Sequence, residues 1–135
     1  MTDKLPADRH ATLRVVPMPA NTNAAGNIFG GWLMSQVDIA GSVVALRRAR
    51  GPVTTVAVNS FRFIKPVYVG DLVALYADIS HVGQTSITTE IVVYAERGLR
   101  QGALAGGVER VAEATLTYVA IDAQYQKRPV PPETH

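Results

Sequence analysis

One helical stretch, residues 32–49, constrains the fold of this chain more than any other feature. Apolar residues recur along one side of it at helical spacing, and further apolar residues occupy the remaining sides: Leu33, Val37, Ala40 and Val44, then Trp32, Ile39, Val43 and Leu46. A helix that is apolar nearly all round is a buried helix. It is predicted to end at Gly51-Pro52, since this pair does not continue a helix. The sequence therefore predicts a single core helix that other elements must surround.

The chain after the helix is predicted to form β-strands. Four segments are rich in β-branched and aromatic residues and are separated by short turns, at 53–64, 72–81, 85–96 and 108–121. A short strand is expected at 11–16, and a glycine-rich stretch at 97–107 is expected to be a mobile hairpin tip. Tight turns join antiparallel neighbours, whereas parallel neighbours need long crossovers. We therefore expect an α+β fold in which an antiparallel sheet wraps round the helix.

The composition excludes several classes of protein. The chain has 135 residues, the length of one domain, and no cysteine, which removes disulfide scaffolds, cysteine nucleophiles and zinc ribbons. Charged residues make up 18%, below the usual share of about 25%, which indicates surface hidden in an oligomer. No basic run is longer than Arg47-Arg48, so nucleic acid is not indicated as a partner.

The ends of the chain are polar or broken by prolines. Residues 1–10 are predicted to be a flexible tail without a signal peptide, 11–122 the folded domain, and 123–135 a C-terminal tail. The longest nearly uncharged segment, 32–46, contains polar residues and falls short of the ~20 apolar residues that a membrane span needs. We expect a cytoplasmic protein that has no membrane partner.

Asp38 is the most informative candidate for chemistry. It is the only charged residue in 32–46, and its neighbours three and four positions away on the helix are not basic. Burying an unpaired carboxylate is costly, so such a residue on a core helix usually has a function. The alternative is a structural aspartate that backbone amides or a side chain from a strand satisfy.

Gly30-Gly31 precedes the helical pattern and is the second candidate. Two glycines at a helix start leave backbone N–H groups free at the positive end of the dipole, where they can hold an oxyanion. The alternative is close packing of a loop on the helix. Asn23, in the loop before the glycines, is either a functional residue or a turn former. The sequence has no nucleophile elbow, zinc-protease, Walker or Rossmann motif, and no cluster of metal ligands.

Three segments, 23–38, 61–71 and 113–122, resemble the hotdog-fold acyl-CoA thioesterases of the YciA type, and the likeness extends over about residues 12–131. It implies a hotdog fold, in which one long helix is wrapped by a five-stranded antiparallel sheet. It also implies dimers that share active sites at their interface, and hexamers built as trimers of dimers. The implied activity is hydrolysis of acyl-CoA to a free acid and CoA. No metal or cofactor is implied, because CoA enters only as part of the substrate and product.

The resemblance also implies roles for single residues. Asp38 matches the catalytic aspartate, and Asn23 matches an asparagine that works with it from the other subunit. Gly30 and Gly31 match the helix start that holds the thioester oxygen. Whether Asp38 activates water or attacks to form an anhydride stays open. The chain departs from the family pattern at Ala25, Asn27 and Asn59, which removes no group that the chemistry requires.

Coenzyme A also carries phosphates, which need donors. The candidates for substrate binding lie on one strand and in one turn of the predicted sheet: Asn59, Ser60, Arg62, Lys65, Gly83, Thr85 and Ser86. The alternative for each is a solvated side chain or a plain hairpin turn. Arg47, Arg48 and Arg50 are expected to serve the helix C-terminus, or to reach a phosphate at an oligomer surface.

Two other functions stay open. One is a non-catalytic hotdog protein that binds acyl-CoA or regulates through it, and the other is a thioesterase for acyl-carrier protein. The presence of Asp38, Asn23 and the glycine pair favours catalysis.

Overall fold

The computed structural model describes residues 3–97 and 107–133. Its elements follow the chain as strand β1 (Leu13–Val15), a short 3-10 helix (Pro19–Asn21), helix α1 (Gly30–Ala49) and strands β2 (Val53–Phe63), β3 (Leu72–Val82), β4 (Ser86–Glu96) and β5 (Val108–Ala120). The predicted helix and strands are confirmed, with α1 starting two residues early because both glycines belong to it. The predicted hairpin tip at 97–107 lies, except for its two end residues, outside the described residues.

The five strands form one antiparallel sheet in the order β1-β3-β4-β5-β2. This confirms the predicted α+β class and the five-stranded sheet. The long strand β2 lies at one edge and the short strand β1 at the other, so β4 and the two strands beside it form the centre.

Helix α1 packs across one face of the sheet through its small residues. Ala40, Gly41 and Ala45 are fully or almost fully buried, and they let the helix backbone approach the strands closely. The side chains around them form one apolar core, whose largest fully buried members include Val37, Leu75, Ile87, Ile91, Leu116 and Tyr118.

The expectation that α1 is buried on all sides is wrong for a single chain. Met34, Ile39 and Leu46 are 37%, 47% and 48% exposed. A single sheet covers only the side of the helix that faces it, so the opposite apolar side stays open. The edge strand β2 also has exposed apolar side chains, since Val56 and Val58 are 54% and 46% exposed.

The two segments set apart as tails contact the domain. Near the N-terminus, Arg9 forms an ion pair with Asp78 on β3 at 2.8 Å. Near the C-terminus, Val130 packs against the core, and its N–H donates to the carbonyl of Gln84 at 2.9 Å. The predicted domain boundaries at residues 10 and 122 stay predictions.

The C-terminal segment, rather than the arginines of the helix, binds the last helical carbonyl. Arg128 donates to the carbonyl of Ala49 at 2.9 Å. Arg48 and Arg50 instead donate to the carbonyls of Pro131 and Pro132. Across residues 3–97 and 107–133, no helix combines the length and apolarity that crossing a bilayer requires.

Candidate functional site

Asp38 lies near the middle of α1, on the side that faces β2 and β5. Its Oδ1 accepts a hydrogen bond from Thr55 Oγ1 on β2 at 2.8 Å. The phenol of Tyr118 on β5 lies 2.9 Å from the same oxygen. Both donors are neutral, and within the described ranges no lysine or arginine forms an ion pair with this carboxylate. The carboxylate is therefore held by hydroxyl groups while its charge stays uncompensated.

Two irregularities in β2 bring its side chains toward this carboxylate. The register between β2 and β5 shifts between Thr55 and Ala57 and again between Val58 and Ser60. Each bulge interrupts the usual alternation, so side chains at intervals of three residues face the helix. They are Thr55, Val58 and Phe61. A cavity of about 220 Å³ opens there, lined by Met34, Ser35, Asp38, Val58, Phe61 and Leu116. Asp38 thus lines a cavity whose other walls are mainly apolar.

Tyr118 is fully buried beneath the helix, and its phenol oxygen also lies 2.8 Å from the backbone carbonyl of Asp38. This approach requires a glycine at position 41, since a Cβ there would clash with the phenol oxygen. Burial, and then the hydrogen bond to Asp38 and its negative charge, raise the pKa of Tyr118 far above the ordinary range of a phenol. The phenol therefore remains neutral and can act as a donor.

The start of α1 forms a second candidate centre. Phe29 is the N-cap residue and makes no side-chain hydrogen bond to the first turn. Among the described residues, none accepts a hydrogen bond from the N–H groups of Gly30 and Gly31. The ring of Phe63 lies against Gly30, while a Cβ at Gly31 would meet nothing within 4 Å apart from its own chain neighbours. The first turn therefore presents two N–H groups on residues that have no side chain.

Asn23 organises the loop before the helix. Its Oδ1 accepts hydrogen bonds from the N–H groups of Ala25 at 2.9 Å and Asn27 at 3.1 Å. Gly26 lies in this turn with φ of +87°. The side-chain oxygen of Asn23 thus forms the turn, as one of the two interpretations of this residue predicts. Among the described residues, its Nδ2 group makes no hydrogen bond and remains available to a ligand.

Asn23 and the helix start share a cavity of about 370 Å³, lined also by Asn27, Ile28, Phe29, Leu33, Phe63, Ile64, Lys65, Pro66 and Val67. Asp38 is not part of this lining. Gly30 and Asp38 are eight positions apart, which corresponds to ~12 Å along the helix axis. One carbonyl group cannot contact both the helix start and the carboxylate of the same chain.

Three predicted substrate-binding residues lie on β2 on the face of the sheet that points away from α1. Asn59 accepts a hydrogen bond from the hydroxyl of Thr117 at 2.7 Å, and Arg62 forms an ion pair with Glu113 at 2.7 Å. Ser60 lies beside Arg62 in a surface depression on this face. The structure does not bring these side chains together with Asp38 of the same chain.

Lys65 and the turn at 83–86 lie at opposite ends of the sheet. Lys65 is at the rim of the cavity at the helix start, with its Nζ 3.5 Å from Glu109. Gly83 donates its N–H to the carbonyl of Ser86 at 2.8 Å, and Thr85 accepts from the N–H of Ala120 at 2.9 Å. This turn therefore lies beside the C-terminal end of β5, where its backbone is partly engaged.

A buried ion-pair network supports the rim of the cavity at the helix start, and sequence reasoning missed it. Arg97, 5% exposed, pairs with the fully buried Asp71. It also donates to the carbonyl of Pro66 at 2.9 Å and to Glu109 at 3.0 Å. The hydrogen bond from Arg97 holds the pKa of Glu109 below its usual value. Pro66 lines the cavity, so this network fixes one of its walls.

Thr55 and Tyr118 were also missed as partners of Asp38. Alternation along the last strand indicates that Tyr118 points inward, but it does not say which residue the phenol meets. That contact joins residues 80 positions apart and depends on the bulges and on the crossing of helix over sheet.

Comparison with known proteins gives consistent results. The family model of the Thioesterase superfamily matches residues 25–100. Acyl-CoA thioester hydrolase YciA of Escherichia coli is 43% identical over 121 residues, which are 90% of this chain and 90% of that protein.

Two solved structures share the fold. A hexameric broad specificity acyl-coenzyme A thioesterase, crystallised as an Asp-to-Ala mutant, is 41% identical with a TM-score of 0.85, over 91% of this chain and 87% of the other. A hexameric hotdog fold thioesterase of Campylobacter jejuni is 36% identical with a TM-score of 0.86, over 93% of each chain. The hotdog fold that the sequence resemblance implied is confirmed.

Proposed function

Because the chain belongs to the thioesterase superfamily, we propose that it hydrolyses acyl-CoA to a free carboxylic acid and CoA. The observation that carries this proposal is the uncompensated carboxylate of Asp38, held by two neutral donors at the wall of an apolar cavity. A carboxylate of this kind can act on a reacting carbon. It would contribute nothing to a pocket that only binds an anionic ligand.

The chemistry suits a single carboxylate. The leaving thiol has an ordinary pKa of about 8.5, so its thiolate departs without a strong general acid. Asp38 either accepts a proton from an attacking water or attacks the thioester carbon to form an anhydride that water then cleaves. In both routes the thioester oxygen gains negative charge, and donors must be ready to receive it.

The N–H groups at the start of α1 are the proposed donors, and they belong to a second copy of the chain. Catalysis needs donors about 3 Å from the oxyanion and an attacking atom about 3–3.5 Å from the carbon. The ~12 Å between Gly30 and Asp38 of one chain is too long for this. We therefore place Asp38 of one subunit opposite Gly30, Gly31 and Asn23 of its partner, where the free Nδ2 of Asn23 can orient the water.

An assembly of several copies has further support. The open side of α1 and the edge strand β2 both expose apolar side chains, which a second copy would cover. The two solved relatives described above are hexamers. We propose a dimer that shares its active sites and, as the full assembly, a trimer of dimers.

Binding of the CoA moiety is proposed at the residues named from the sequence. Lys65 lies at the rim of the cavity that contains the helix start. Asn59, Ser60, Arg62 and the turn with Gly83, Thr85 and Ser86 are proposed to act at sites completed by other subunits. No cofactor is proposed, and the cytoplasmic location stays a prediction.

The test compares Asp38→Asn with Asp78→Asn as a matched control. Asp78 is an exposed aspartate on β3 that pairs with Arg9. We expect Asp38→Asn to lower the rate of thiol release from acyl-CoA by roughly 10²–10⁴-fold, the usual contribution of a positioned base. Asp78→Asn is expected to retain wild-type turnover, and circular dichroism checks the fold of both variants.

The same assay separates the alternatives. Assays use short, medium and long acyl-CoAs and, in parallel, an acyl-carrier protein thioester. Binding of acyl-CoA without thiol release would identify a binding protein. Thiol release only from the carrier-protein thioester would identify a thioesterase for acyl-carrier protein. Full activity in a folded Asp38→Asn protein would contradict the mechanism.

A further inference from the structure

The two carboxylate oxygens of Asp38 have different surroundings. Thr55 Oγ1 and the Tyr118 phenol lie 2.8 Å and 2.9 Å from Oδ1. Within residues 3–97 and 107–133, no donor forms a hydrogen bond with Oδ2. The single phenol proton is shared between Oδ1 and the backbone carbonyl of Asp38, which lies 2.8 Å from the same phenol oxygen. Oδ2 keeps both of its lone pairs, and it belongs to the side chain that lines the apolar cavity.

We propose that Tyr118 is a positioning residue that fixes Oδ1 of Asp38 against the sheet and leaves Oδ2 as the atom that acts on water or on the thioester carbon. The inference rests on the proposed function, in which Asp38 is the catalytic carboxylate. It assigns the reacting oxygen and names the phenol that selects it.

Tyr118 is the more rigid of the two donors. Its side chain is fully buried, and β5 lies between β4 and β2 in the sheet. Thr55 is exposed and lies on the edge strand, where its side chain has room to rotate. The phenol therefore fixes the carboxylate, and the threonine completes the pair of donors.

The helix makes room for the phenol at a cost to its own stability. Glycine in a helix interior is less favourable than alanine. Any larger residue at position 41 would clash with the phenol oxygen and crowd the hydroxyl of Thr89. The contact between α1 and Tyr118 thus depends on Gly41, which explains a glycine in the middle of a long helix.

The phenol stays protonated, because burial, followed by the hydrogen bond and charge of Asp38, raises its pKa. Among the described residues around Asp38 and Gly41, Tyr118 is the only titratable side chain besides Asp38 itself. The others are Met34 and Ser35 on α1, Thr89 on β4, Leu116 on β5, and Thr55, Val58 and Phe61 on β2.

The first test is Tyr118→Phe, with Tyr94→Phe as the matched control. Tyr94 is on β4, where its ring stacks edge-on against Tyr76. We expect Tyr118→Phe to lower kcat by about 10-fold, the effect of losing one hydrogen bond to a charged group, with little change in KM. Tyr94→Phe should keep the wild-type kcat and KM.

A second variant moves the phenol without removing it. Gly41→Ala places a methyl group where the phenol oxygen lies. We expect the same loss of kcat, with little change in KM, although the tyrosine is present. This variant keeps the inference testable if Tyr118→Phe does not fold.

A third measurement does not depend on activity. Tyrosine labelled with carbon-13 at Cζ gives one resonance for each phenol by nuclear magnetic resonance, and its chemical shift responds to the hydrogen bond that the phenol donates. At neutral pH, Asp38→Asn should move the Tyr118 resonance, because a neutral amide replaces the charged acceptor, and it should leave the Tyr94 resonance in place.

The outcomes separate the inference from the proposed function. Wild-type kcat in folded Tyr118→Phe would overturn the inference, as would equal losses in Tyr94→Phe. An unchanged Tyr118 resonance in Asp38→Asn would also overturn it. A wild-type protein that releases no thiol from any acyl-CoA would refute the proposed function, while the Tyr118 resonance would still test the contact.

Discussion

Single residues contribute unequally to the stability of this fold, and the clearest contrast is between two arginines. Arg97 is buried, forms ion pairs with Asp71 and Glu109, and donates a hydrogen bond to the carbonyl of Pro66. Arg9 forms one ion pair on the surface. Removing one partner of a buried pair leaves an uncompensated buried charge, whereas a surface pair contributes little.

We expect Arg97→Met to lower the free energy of unfolding by about 3–5 kcal/mol. Arg9→Met, the matched control, should change it by less than about 1 kcal/mol. Urea denaturation followed by circular dichroism measures both. Because Arg97 also binds the carbonyl of Pro66 at the cavity wall, folded Arg97→Met should show a higher KM. Equal stability in the two variants would contradict the assigned role of the network.

The same network gives a pH dependence with a definite sign. The hydrogen bond from Arg97 lowers the pKa of Glu109 from its ordinary value of 4.5. A carboxyl whose pKa is lower in the folded state stabilises the fold above its unfolded pKa, and this stabilisation is lost as the pH falls through the folded pKa. Glu109→Gln should therefore be less stable than wild type at neutral pH. The difference should shrink as the pH falls below 4.5, and a difference that grows in acid would contradict this assignment.

At the scale of elements, the end of α1 depends on a segment far along the chain. Arg128 donates to the carbonyl of Ala49 and to that of Ile121, each at 2.9 Å. It thereby connects the helix C-terminus to the segment that follows β5. Lys127, its neighbour, is exposed.

We expect Arg128→Met to lower the free energy of unfolding by about 1–3 kcal/mol, because two carbonyl groups lose a charged donor. Lys127→Met should have almost no effect. Hydrogen exchange should show faster opening in the last turn of α1 for Arg128→Met, with the first turn unchanged. Uniform exchange along the helix would mean that this arginine does not stabilise its end.

At the scale of the whole molecule, the proposed site needs two copies of the chain. If Asp38 of one subunit meets Asn23 of its partner, dimers of Asp38→Ala have no complete site, and neither do dimers of Asn23→Ala. In a mixed dimer one site carries both changes and the other carries none. Random reassembly makes half of the dimers mixed, so roughly a quarter of all sites should recover.

The experiment unfolds and refolds equal amounts of the two inactive variants together and measures thiol release. Activity should approach a quarter of wild type, well above that of either variant refolded alone. Two different affinity tags confirm that mixed dimers form. Mixed dimers without recovered activity would mean that both residues act within one subunit, or that Asn23 only forms its turn.

Sequence alone determined what depends on neighbouring residues. The helix and strands follow from hydrophobic periodicity, and turns end them at Gly51-Pro52 and Gly83. Asp38 stood out because no residue within one helical turn neutralises it, and the glycine pair because a helix start without side chains is a local feature. The likeness of three segments to a known family then supplied the hotdog fold and the roles of these residues.

Tertiary structure decided every contact that joins distant parts of the chain. The phenol of Tyr118 reaches Asp38 only because Gly41 lets helix and strand approach, and because β5 holds its register beside the bulged strand β2. It also decided that Arg62 faces away from Asp38, and that one side of α1 stays open. Local patterns fix which residues share a face, whereas the free energy of packing fixes which faces meet. That packing energy belongs to pairs of residues far apart in sequence, where periodicity carries no information.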